Sequence, residues 1–89
     1  MKYNYENLIE DLQQGREIEF SYKDKDYAIV NHANYWFLIF SDVKLQVPLC
    51  KFEDKQKLTE LVGLIAVEDV NLEKIFNKKL YDENSLYIL

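Results

Sequence analysis

The sequence predicts a single α+β domain over residues 1–89: a helix, a three- to four-stranded antiparallel meander sheet and two C-terminal helices. Three observations predict it. Tyr5, Leu8, Ile9 and Leu12 recur at helical spacing ahead of Gly15. Arg16 to Tyr22 alternates apolar and polar residues, and the alternation resumes at Tyr27–Val30 after a polar turn. The strand-like segments then run consecutively, with the remaining helical patterns after them, which favours a meander over a βαβ winding.

The first helix is expected over residues 4–14. Asn4 suits the N-cap, Glu6 falls in the first turn, and Gly15 supplies a left-handed stop. In the next segment Ile18, Phe20 and Tyr22 face one way, Glu17, Glu19 and Ser21 the other. A hairpin closed on Asp24-Lys25 sets Tyr22 opposite Tyr27 and Phe20 opposite Ile29, with the apolar residues on a shared face. Asn31–Asn34 reads as a second turn. Tyr35–Phe40 is apolar on both faces, the pattern of a central strand or of one that shows a face to a partner. Ser41–Lys44 turns again. Leu45, Val47 and Leu49 alternate with Gln46 and Pro48, and Pro48 makes this an edge strand or a strand end.

A second helix is expected over residues 54–62, with Leu58, Leu61 and Val62 inward and Gly63 after it. Leu64–Val67 is a short apolar bridge. Asn71 caps a third helix, with Leu72, Ile75, Phe76 and Leu80 inward. Asp82–Ser85 reads as a turn, and Leu86–Leu89 as an apolar tail that docks on the core or on a partner. The first two helices are expected to share one sheet face.

Composition narrows the function classes. Sixteen acidic against 11 basic residues give a formal net charge of -5. Phosphate backbones and anionic lipid are bound through Lys and Arg, so direct nucleic-acid and membrane binding are disfavoured. A basic protein surface, including one that normally holds nucleic acid, is electrostatically complementary. Seven Tyr, five Phe and one Trp bring the aromatic content to 15 %, and exposed Tyr and Trp carry much of the energy of protein interfaces. A single cysteine allows no internal disulfide, the N-terminus has no apolar signal core, and no run is long enough to span a bilayer, so a cytoplasmic location is expected.

Catalytic chemistry is not expected. There is no glycine-rich phosphate loop and no readable nucleophile–base pair. His32 is the only histidine and Cys50 the only cysteine; a zinc site built from both would still lack ligands. Cys50 suits a small buried hydrophobe. No cofactor or metal is therefore assigned. The carboxylate pairs fall in turns and on solvated faces, except that Glu17 and Glu19 share a strand face. With Glu6 and Glu10 on a nearby helix they would form an acidic patch.

Asn7–Leu12 before Gly15, Glu17–Tyr22 and Tyr27–Val30 together resemble the small acidic proteins of phages and mobile elements of low-GC Gram-positive bacteria. Anti-CRISPR proteins, inhibitors of host defence nucleases, are among them. The resemblance covers the first third of the chain. It implies an inhibitor of a nuclease or other nucleic-acid-binding protein and transfers no site residues.

The expectation is a protein-binding module without catalytic activity, whose interface uses Tyr35, Trp36 and Phe37 edged by Glu17 and Glu19. The alternative is a structural or homodimeric protein in which strand 35–40 and the apolar tail meet a second copy.

Overall fold

A computed structural model describes residues 3–89. Helix α1 (Tyr5–Gln13) starts where expected: Asn4 accepts from the Asn7 backbone N–H while the Asn7 side chain accepts from that of Asn4, a reciprocal cap. Leu8 and Leu12 are its buried residues, and Gly15 ends it at φ +87°. A side chain at Gly15 would be strained by that φ and would also press on the Phe52 ring, 3.1 Å from an added Cβ.

Four strands follow: β1 (Ile18–Tyr22), β2 (Lys25–His32), β3 (Tyr35–Phe40) and β4 (Leu45–Lys51), with a 3₁₀ turn at Ser41–Val43. Helix α2 (Lys55–Val62) is capped by Asp54. A two-stranded ribbon, β5 (Ala66–Val67) and β6 (Val70–Asn71), leads into α3 (Leu72–Asn77), capped by Asn71. The chain returns as β7 (Asp82–Ile88). Among the described residues, the main sheet has five antiparallel strands in the order β4-β3-β2-β1-β7.

The helices lie on one face. Ile18, Phe20, Tyr27, Ile29, Trp36 and Leu38 from the sheet share one core cluster with residues from all three helices. Phe76 of α3 is fully buried, with its ring 5.1 Å from Phe20 and 4.6 Å from Tyr81. The helices are also tied together by polar bonds: Gln13 Nε2 donates to Thr59 Oγ1 at 2.8 Å, and the Tyr5 N–H to Asn77 Oδ1 at 2.9 Å. As expected, α1 and α2 pack on the same face.

Several expectations need correction. The first hairpin closes on Lys23-Asp24, which pairs Phe20 with Tyr27 and Ile18 with Ile29. Both loop residues adopt left-handed φ values, 52° and 64°, as a two-residue I′ turn requires. The two registers differ by two residues, so both keep the apolar side chains together; the turn and the Phe20–Tyr27 stack (5.6 Å) separate them. Asp82–Ser85 is not a turn but part of β7, and the sheet gains a fifth strand beside β1. Leu80 is 43 % exposed rather than inward, because Lys79 at φ +53° has already left the helix.

Candidate functional site

Among the described residues, no helix covers the second face of the sheet. Pairing sets Glu19 beside Ala28, Ala28 beside Ile39, Val30 beside Phe37, and Phe37 beside Pro48. These side chains alternate with the core residues and point away from the helices. Val30, Tyr35, Phe37 and Ile39 stand apart from the hydrophobic core cluster and its partly buried neighbours. They form their own apolar strip, in which the Tyr35 and Phe37 rings lie 5.9 Å apart. Tyr87 of β7, opposite Glu19 and 63 % exposed, extends it. Part of this surface is a shallow concavity of about 480 Å³ bounded by Glu19, Asp26, Ala28, Val30, Ile39 and Tyr87.

The charge of this face comes from β1 and β2. Glu19 is exposed. Glu17, just before the start of β1, accepts from the Asn31 backbone N–H at 2.9 Å through its carboxylate, which satisfies that donor beyond the β1–β2 ladder. Asp26 accepts from the Ser21 hydroxyl. The other margin holds Lys51, opposite Tyr35 on β4, and His32, the exposed last residue of β2. The apolar strip is thus acidic on its β1 side.

Of the five residues proposed as an interface from the sequence, Tyr35, Phe37, Glu17 and Glu19 come together on this face. Trp36 does not. It is 1 % exposed, its ring stacks on Phe52 at 5.6 Å, and its Nε1 donates to the Phe52 carbonyl at 3.4 Å. Strict alternation along β3 forces one of any two neighbours inward, and the larger Trp36 fills the core. Glu6 and Glu10 also stand apart from Glu17 and Glu19. They border a groove between α1 and α3 with Glu73 and Asn77, on the helical side of the sheet. Sequence reasoning missed Tyr87, Ile39 and Asp26. The period-two pattern flags Ile39 and Asp26, but Tyr87 needs the β1–β7 pairing, for which the sequence holds no local signal.

Chemistry elsewhere is sparse. Cys50 is buried on the helical side of β4, with burial pushing its thiol pKa up. His32 lies on the opposite side. Among the described residues no three His, Cys, Asp or Glu side chains gather as metal ligands, and no helix is long and apolar enough to cross a membrane. Tyr3, Tyr5 and Tyr81 are all pushed up, first by burial; Tyr3 also donates to Asp11 at 2.6 Å. These tyrosines hold α1, α3 and β7 together and do not reach the open face.

Comparison with protein-family models, curated proteins and solved structures gives no match.

Proposed function

We propose that this chain is a non-catalytic, acidic protein-binding module that inhibits or regulates a nucleic-acid-handling protein. The observation that carries the reading is the helix-free sheet face, an apolar strip with carboxylates along one margin. Aromatic and aliphatic side chains supply desolvation energy there, and Glu19 and Asp26 favour a partner with Lys and Arg around an apolar centre. A surface evolved for phosphates fits that description from the partner's side. The anti-defence proteins of phages and mobile elements, which the first third of the chain resembles, would act on such a target in the cytoplasm of a host cell. The net charge of -5 supports faster encounter with a basic surface and opposes direct contact with nucleic acid.

The test is affinity capture from a bacterial lysate with three baits: the wild type, Phe37→Asp and Glu19→Lys. The expected result is a nucleic-acid-binding protein held by the wild type, released by salt, and lost by both variants while they remain folded. Its nucleic-acid-dependent activity should fall when purified wild-type chain is added. Retention that is equal for all three baits, or a captured protein whose activity does not change, would sink the proposal.

A further inference from the structure

The two edges of the main sheet differ in what they can accept. Around the two-residue β2–β3 turn, His32 and Tyr35 form the closing hydrogen-bonded pair, so Val30–Phe37 and Ala28–Ile39 are hydrogen-bonded pairs too. The backbone groups of Leu38 and Phe40 then point to β4, where Val47 and Leu45 oppose them. Gln46 and Pro48 are left pointing to the free edge. Pro48 has no N–H, so this edge is blocked against an added strand.

Among the described residues, the β7 edge has no such block. Leu89 N–H donates to the Glu17 carbonyl at 2.8 Å, which makes Glu17–Leu89 and Glu19–Tyr87 the inward-bonded pairs. By alternation, the N–H and C=O groups of Leu86 and Ile88 point away from the sheet. Tyr87 and Leu89 are 63 % and 66 % exposed, and residues 86–89 carry no side-chain charge.

We infer that a second copy of this chain pairs with β7, antiparallel, with Leu86 opposite Ile88 of the other copy and Tyr87 opposite its own counterpart. The register uses the outward backbone groups of Leu86 and Ile88 in both strands. It brings the two Tyr87 rings together as a non-hydrogen-bonded cross-strand pair, the closer of the two pair types. Charge selects the same segment. In a chain of net charge -5, two copies meet here without opposed carboxylates, because Asp82 and Glu83 of the two strands lie at opposite ends of the paired segment. The result is a continuous sheet that sets two open faces side by side. It does not rest on the partner reading above, since the backbone of the strand edge carries the pairing, although Tyr87 belongs to both surfaces.

Two measurements test it together. The wild type should pass from monomer to dimer with rising concentration, more readily in added salt, because screening weakens the repulsion between two acidic chains. Tyr87→Lys, which sets like charges face to face at an exposed position, should remain monomeric under the same conditions. A Tyr87→Cys variant should form a covalent dimer with oxidised glutathione as oxidant, at least about ten-fold faster than Glu83→Cys, which the register keeps from its counterpart. The native Cys50, 5 % exposed, leaves the introduced thiol as the accessible one. A wild type that is monomeric at about 1 mM in high salt would overturn the inference. Equal cross-linking of the two cysteine variants would overturn it as well.

Discussion

The two faces of the main sheet are built from the same strands and do opposite things. On one, Ile18, Ile29, Trp36 and Phe76 are at most 1 % exposed, and all three helices contribute side chains to the cluster they form. On the other, Val30, Phe37 and Ile39 are only half-buried, shielded by one another and by neighbouring strands. β3 shows the contrast within one strand: Trp36 and Leu38 are buried among the helices while Tyr35, Phe37 and Ile39 face the uncovered side. An antiparallel sheet with one solvated face ordinarily alternates apolar with polar residues. Here β3 stays apolar on the solvated side, and the proposed interface accounts for that departure.

The sharpest way to break this contrast is to truncate one aromatic on each face. Phe76→Ala should cost about 3–5 kcal/mol, since it removes a fully buried ring packed on Phe20, Tyr3 and Tyr81. Against a total of about 4–13 kcal/mol for a chain of this size, that leaves a marginal fold. Phe37→Ala should cost less than about 1.5 kcal/mol, because a half-buried ring on an open face leaves no closed cavity. Urea denaturation of both variants gives the comparison directly. Equal losses would mean that the open face is structural, and the proposed interface would lose its basis.

The next effect concerns the layer that makes the covered face covered. Asn4→Ala removes a reciprocal cap from α1, and should lower stability by about 1 kcal/mol without moving the open face. Thermal unfolding reads the loss, and amide chemical shifts of β3 should remain at their wild-type positions. Shifts spreading into Phe37 and Ile39 would show the two faces to be coupled.

What was legible in the sequence divides along the same line. The helices were legible because their caps are local: Asn4, Asp54 and Asn71 each sit beside the run they start. β7 was not, since Asp82–Ser85 has turn composition and becomes strand only by pairing with β1, whose Ser21 N–H donates to Ser85 Oγ at 2.8 Å. Nor was the first hairpin's register, because a two-residue slip preserves the faces. Turn chemistry held the missing signal. Lys23-Asp24, Ala33-Asn34 and Glu68-Asp69 all place Asp or Asn second, at φ 64°, 65° and 64°, and none uses glycine. On the open face, alternation placed Glu17, Glu19, Tyr35 and Phe37 together, and the same alternation excludes Trp36.

The Ala33-Asn34 turn offers a smaller test. Ala33 is held at φ 51°, a region that costs most side chains about 1 kcal/mol and Asn less. Ala33→Asn should therefore stabilise the protein by about 0.5 kcal/mol, in keeping with the Asn preference of I′ turns. It should leave the His32–Tyr35 pairing in place, as cross-strand NMR contacts would show. A destabilised variant would mean that the β2–β3 loop is not a I′ turn, and the register of the open face would need to be redrawn.

The smallest effect lies on the rim. Lys25 on β2 donates to Glu68 of the β5–β6 turn at 2.5 Å, with side-chain exposures of 51 % and 31 %. That hydrogen bond, and then the Lys25 charge, hold the Glu68 carboxyl below its ordinary 4.5, and the same bond raises Lys25 above 10.5. The sign follows from linkage. A carboxyl with a depressed folded-state pKa contributes stability above its unfolded value and loses it as pH falls through the folded one. A lysine with a raised pKa contributes below its unfolded value and loses that as pH rises through the folded one. The pair is therefore at full strength between about pH 4.5 and 10.5, and solvent keeps its contribution small. Melting temperatures of the wild type and Glu68→Gln should differ slightly at neutral pH and converge as pH drops below that window. Curves that stay parallel through the acid limb would mean the pair does not fasten the β5–β6 ribbon to the sheet, and that the ribbon is held by the packing of Val67 and Val70 against the core.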